Sequence, residues 1–274
     1  MTAQEAQRDT RYLELVLAPL RVCAQYRPKF GKGKGPGLSQ DQFQALYQAD
    51  PFYNWFGLDN PLMYAAHKAA GGMTSVYRQI GIGCEQVFRL ALQDSLGLSA
   101  ADTQWSYEVT GANRKKRSLH LDGRVPIDQV PNATARTRLV EWMGHAARDL
   151  GVTKKILSSL TGVVFEVRQG YKSKDSKRQN ADIANAATAY ISGYLPCAAI
   201  LSTQIDGDIA TRYRAERWAV LTGTIGRDDA QTSTYDFMRT VVGYDLQAFF
   251  ERHRDVLRRE IDSVLRGLLT AEPL

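Results

Sequence analysis

The sequence predicts a mixed α/β fold, a central mixed β-sheet flanked by helices, with helical additions on the N- and C-terminal sides. Three observations carry this. Apolar residues recur every three or four positions over long stretches, as in Val76, Ile80, Cys84, Val87, Phe88, Ala91 and Leu92. They alternate singly over 105–110 and 118–125, and they gather into one strand-like run, Val163-Val164-Phe165-Glu166-Val167-Arg168. With 274 residues, 44% hydrophobic and 23% charged, the chain has ample material for a core and is too apolar for a disordered one. A single domain is expected, its core at about residues 75–205, with 1–74 and 206–274 as helical or irregular additions.

Taken in order, residues 12–26 suit a helix interrupted by Pro19, and the Gly/Lys/Pro stretch 28–37 is a loop. Ser39 with Gln42 three residues later forms a capping box that opens a helix through Ala49. The aromatic, turn-rich segment 51–64 reads as irregular. A long helix follows over 75–98, and strands 105–110 and 118–125 form a hairpin around the turn at Gly111-Ala112-Asn113. A helix at 134–150, the 163–168 strand, an Ala-rich helix at 179–193 and strands at 198–204 and 218–222 come next. Helices from Thr234 and over 246–269 end the chain, the last one amphipathic and suited to packing on the body or on a second subunit.

No apolar run approaches the roughly 20 residues of a membrane span, and no leader is expected at the N-terminus, so the expectation is a protein without a membrane partner. Cys23, Cys84 and Cys197 form no CxxC or CxxH pair, which supports neither a disulfide framework nor a zinc site and suggests a reducing cytoplasm. The net charge is +6, but its distribution matters more. Residues 27–37 carry four positive charges, 114–117 (Arg-Lys-Lys-Arg) four more and 172–178 a net three, so these stretches hold +11 and the remainder −5. An acidic body with three basic patches is the pattern of a chain that meets a polyanion.

The acids stand where burial is costly. On the 118–125 strand, alternation puts His120, Asp122 and Arg124 on the side opposite Leu119, Leu121 and Val125. On the 163–168 strand, Glu166 and Arg168 share a face, and Lys172 joins them if the strand continues past Gly170. Glu85 interrupts the apolar face of the 75–98 helix. A carboxylate and a cation two residues apart on a buried strand are either a structural ion pair or a site. As a site, Asp122 and Glu166 would hold Mg²⁺, Glu85 would be an outer or second-metal ligand, and Arg168 or Lys172 would orient water or stabilise a pentavalent phosphate. The segment after that strand supplies Lys174, Asp175, Lys177, Arg178, Gln179 and Asn180, and the hairpin supplies Lys115, Lys116 and Arg117. Cations neutralise phosphates, and Gln and Asn can read adenine, so double-stranded DNA is the expected partner.

Asp122, followed at long spacing by Glu166-Val167-Arg168, on a helix-strand-strand-strand-helix-strand order, resembles the PD-(D/E)XK nuclease superfamily, and the Lys/Arg/Gln/Asn segment resembles its type II restriction endonucleases. The resemblance covers about residues 75–205. It implies a restriction-endonuclease-like core, Mg²⁺-dependent hydrolysis of double-stranded DNA at a short specific sequence, and a homodimer on a palindromic site. Asp122 matches the first acid and Glu166 the second. Two departures stand out: Arg168 occupies the usual lysine position, and Leu121 precedes Asp122 where the family motif has proline. A structure-specific repair or recombination nuclease and a non-catalytic DNA-binding protein are the alternatives.

Overall fold

The computed structural model describes residues 3–29, 36–110, 116–170 and 186–269. Two compact units emerge, residues 1–83 with 251–274, and residues 84–250.

The first unit is helical. Helix α1 (Ala3–Cys23) continues through Pro19 instead of breaking there, because the proline lies in the last turn and only one late backbone bond is lost. Helix α2 (Gln40–Gln48) opens with the expected capping box: the Ser39 hydroxyl accepts from the Gln42 N–H, and the Gln42 side chain accepts from the Ser39 N–H. The segment 51–64, expected to be irregular, is largely helical. Asp50 accepts from the Phe52 and Tyr53 N–H groups and starts α3 (Pro51–Trp55). Asn60 does the same for α4 (Pro61–Leu96) by accepting from the Met63 N–H. In both places an Asx residue before proline supplies a cap and a pre-set first helical residue. Helix α4 therefore begins well before residue 75. Within this unit the Arg252 guanidinium donates twice to the buried Asp9 carboxylate, at 2.9 and 2.6 Å.

The second unit is built on two sheets. β1 (Trp105–Thr110) pairs antiparallel with β2 (Lys116–Leu121), from Trp105 opposite Leu121 to Thr110 opposite Lys116. A four-stranded mixed sheet follows, with β3 (Gly123–Pro126) antiparallel to β4 (Gly162–Arg168), and β4, β5 (Tyr194–Ile200) and β6 (Ala219–Leu221) mutually parallel. The strand expected over 118–125 is thus divided at Asp122, each half pairing with a different neighbour. Strand β5 starts earlier than expected and contains Pro196, which precedes the first residue paired to β6. β6 carries the sheet beyond residue 205.

Helices cover both faces. On one face Val164, Ala198, Ile200 and Val220 form a single core with Ala186 and Ala189 of the helical stretch 186–191 (α7) and with Ile209 and Tyr213 of α8 (Gly207–Ala215). On the other face Phe165 meets Phe88 of α4 at 5.2 Å and Phe237 at 5.6 Å between ring centroids. Phe237 opens a π-helical turn (Phe237–Val242) after the short α9 (Thr234–Asp236), and it packs on Trp142 of α5 (Ala133–Asp149). A short helix, α6 (Lys154–Leu157), leads into β4, and α10 (Leu246–Leu269) ends the described chain. The fold is mixed α/β with a helix-flanked mixed sheet. No described helix is long and apolar enough to cross a membrane.

Candidate functional site

The parallel strands β4, β5 and β6 end nearly level, with Arg168 opposite Ile200 and Ala199 opposite Leu221. In open α/β sheets the carboxyl ends of the strands are the favoured place for a site. Here that edge carries the acids.

Asp122 sits at the break between β2 and β3. Its N–H donates to the Phe165 carbonyl at 2.8 Å, and its Oδ2 accepts from the Val167 N–H at 2.8 Å. The side chain thereby takes the ladder donor that the next backbone carbonyl would have taken, so the aspartate both ends the β3 pairing and lies against the stretch of β4 that contains Glu166. The Arg89 Nε of α4 donates to the Asp122 carbonyl at 2.6 Å and fixes the break from the other side.

Glu166 is 4% exposed and makes a direct ion pair with Arg168. The same guanidinium lies 3.9 Å from Glu85 Oε1. Glu166, Arg168 and Glu85 are thus linked at one strand end, and the Asp122 carboxylate rests on the backbone of the same strand at Val167. Cys84, next to Glu85, has its thiol pushed up to about 12, chiefly by burial and further by the Glu85 charge.

Among the described residues no group of three or more His, Cys, Asp or Glu side chains is placed to hold a metal ion. Mg²⁺ needs no such cage, because it keeps several waters and takes one or two carboxylates together with substrate phosphate. The carboxylates of Asp122 and Glu166 are oxygen donors of the kind that ion takes.

The remaining expected residues divide. Lys115, Lys172, Lys174, Asp175, Lys177, Arg178, Gln179 and Asn180 lie outside the described residues. Lys116 and Arg117 occupy backbone positions of β2 opposite Thr110 and Val109, and their side chains lie outside the description. His120 is exposed. Arg124 does not join Asp122: its Nε donates to the Asp102 carbonyl at 2.6 Å and its guanidinium lies 6.0 Å from the Tyr194 ring centroid. The break at Asp122 separates residues that an unbroken strand would have aligned.

The segment 228–239 at the same sheet edge carries polar groups that strand patterning does not reveal. Thr234 Oγ1 donates to the Ile200 carbonyl at 2.7 Å, and the Tyr235 hydroxyl donates to the Leu201 carbonyl at 2.9 Å. Asp236 is buried, accepting from the Asp229 N–H at 3.1 Å and from Arg239 at 2.9 Å. The polar run from Asp228 to Asp236 was the signal available in the sequence. No family model, curated protein or solved structure matches the chain.

Proposed function

We propose that the chain is a Mg²⁺-dependent endonuclease that hydrolyses double-stranded DNA at a short specific sequence, in the manner of a type II restriction endonuclease, and that it acts as a cytoplasmic homodimer. One observation carries the reading: the Asp122 carboxylate seated on the β4 backbone beside the Glu166-Val167-Arg168 stretch, at the carboxyl end of a parallel strand. The order α4, β1, broken strand β2–β3, β4, α7, β5, with α5 and α6 inserted before β4, supports it, since apart from that insertion it is the order the nuclease resemblance implies.

Asp122 and Glu166 would hold the metal, which when bound supplies charge neutralisation on the scissile phosphate and a more acidic water. Arg168, or Lys172 from the following segment, would hold the attacking water in place or face the developing phosphorane charge. Glu85 holds Arg168 from the side of α4. The basic segments 114–117 and 172–178 would bind the DNA backbone.

A second reading is favoured by the same contacts. The Glu166–Arg168 pair and the Asp122 bond to Val167 would also serve a non-catalytic DNA-binding protein as internal struts. Incubation of the purified protein with plasmid and Mg²⁺ separates the readings. Discrete fragments support restriction, structure-dependent nicking points to repair or recombination, and gel retardation without cutting supports the non-catalytic reading. Asp122→Ala should abolish cleavage and leave DNA binding intact; undiminished cleavage by that variant would sink the assignment.

A further inference from the structure

We infer that the loop over residues 222–233 is a rigid DNA-backbone contact of the proposed nuclease site, with Arg227 at its tip meeting a phosphate. This rests on the DNA-hydrolysing reading above and adds to it a contact element that the basic patches do not contain.

The loop leaves the sheet beside the acids. The Leu201 N–H donates to the Arg168 carbonyl at 2.8 Å, and the Gly223 N–H donates to the Ser202 carbonyl at 3.2 Å, so the segments after β4, β5 and β6 are laced together. The approach is close enough that a Cβ on Gly223 would collide with the Leu201 carbonyl. Two inter-strand spacings, about 10 Å in all, separate the end of β4 from the end of β6. A duplex seated on Glu166 and Asp122 and running along the strand ends toward β6 would lay phosphates, one charge about every 1.7 Å of its axis, over this loop.

The loop is held from beneath. The Thr222 N–H donates to the Thr232 carbonyl at 2.8 Å, and the Ser233 hydroxyl donates to the Thr224 carbonyl at 2.6 Å. The Asp229 carboxylate accepts from the Gln231 N–H at 2.9 Å and the Thr232 hydroxyl at 2.6 Å, and the Trp142 indole donates to the Ala230 carbonyl at 2.7 Å. These bonds hold an exposed tip, Ile225-Gly226-Arg227-Asp228, in which Gly226 (φ 75°) and Asp228 (φ 50°) are left-handed. A non-glycine residue held in that region costs on the order of 1 kcal/mol and persists where the surroundings over-determine it.

At the tip one guanidinium, Arg227, stands beside Asp228. Asp228 is ion-paired with Arg239 at 2.6 Å, whereas Arg227 is exposed and has no ion-pair partner among the described residues. A guanidinium presented on a fixed loop loses little freedom on meeting a phosphate and can engage it through two donors.

The test is fluorescence anisotropy of a labelled random-sequence DNA duplex in EDTA, with salt varied, for wild type, Arg227→Ala and Arg148→Ala. Arg148 is an exposed arginine near the end of α5, on the side where the chain enters β4, and serves as the charge-matched control. Arg227→Ala should weaken binding about three- to tenfold and lower the salt slope by about one, as expected for one lost phosphate contact. Arg148→Ala should match wild type, and both variants should melt at the wild-type temperature. Wild-type affinity and slope in Arg227→Ala, or an equal loss in Arg148→Ala, would overturn the loop assignment alone. If wild-type protein shows no salt-dependent DNA affinity, the DNA reading itself is overturned.

Discussion

Asp236 and Glu166 belong to the same sheet unit and are both 4% exposed, yet they keep different electrostatic company. Asp236 accepts from a backbone N–H, that of Asp229, and from the Arg239 guanidinium, which it shares with the exposed Asp228, and it lies in the turn capped by Ser233. Burial pushes its carboxyl up, but the Arg239 bond, the Asp229 N–H and the Arg239 charge together outweigh this and hold it below the usual carboxylate range. Glu166 instead shares its guanidinium with Glu85 and lies along the strand on which the Asp122 carboxylate rests. Asp236 thus has a backbone donor beside its shared cation, the arrangement of a strut, whereas Glu166 and Glu85 meet one guanidinium on the strand that carries the Asp122 carboxylate.

The sharpest way to break this contrast is to neutralise each acid without changing its shape. Glu166→Gln should lower Mg²⁺-dependent plasmid cleavage by about 10²–10³-fold or more, the scale of removing one electrostatic contributor to a transition state. A variant that loses stability but retains its cleavage rate would make Glu166 a strut like Asp236. Asp236→Ala should do the reverse. It removes a buried, hydrogen-bonded charge and should cost about 2–3 kcal/mol, lowering the melting temperature by roughly 5–10 °C, while purified folded protein keeps its cleavage rate.

Acid titration offers a smaller effect. Because the folded Asp236 carboxyl is held below its unfolded value of about 3.9, its contribution is complete above that pH and fades as pH falls through the folded value. Urea midpoints measured between pH 6 and pH 2.5 should therefore fall less steeply in Asp236→Asn than in wild type; parallel curves would show that the carboxyl is not depressed. The smallest change is expected from Arg239→Ala. Its side chain is 43% exposed, so thermal melting should shift less than for Asp236→Ala. A larger loss would mean that Asp236 depends on that one cation rather than on the whole donor set.

Much of this contrast was legible in the sequence. Strand alternation placed Glu166 and Arg168 on one face, and they are in contact. The Glu85 charge within an apolar helical face pointed to a buried role, and the side chain reaches Arg168. The Ser39-x-x-Gln42 pattern gave a helix start correctly. The misreadings have local causes. Asp50-Pro51 and Asn60-Pro61 are equally good as turns and as helix starts, and only packing of the following residues decides between them. The strand expected from Ala198 begins at Tyr194, ahead of Pro196, and the proline is tolerated because β6 pairs only with Cys197–Ala199. The break at Asp122 is marked only by the Asp122-Gly123 pair, which fits a turn before Gly123 as well as an unbroken strand passing close to its neighbour.

The sequence by itself determined the helices and strands with strong periodicity, the capping box at Ser39, the segregation of charge into three basic patches, and which acids interrupt apolar elements. Those depend on residues a few positions apart. Only the tertiary structure decided that Asp122 would end one strand pairing by accepting from the Val167 N–H, that Arg168 would be shared by acids from a helix and a strand, and that the loop after β6 would be tied to the same edge. Such contacts join residues remote along the chain, and they form only when burial of both sheet faces brings the strand ends level.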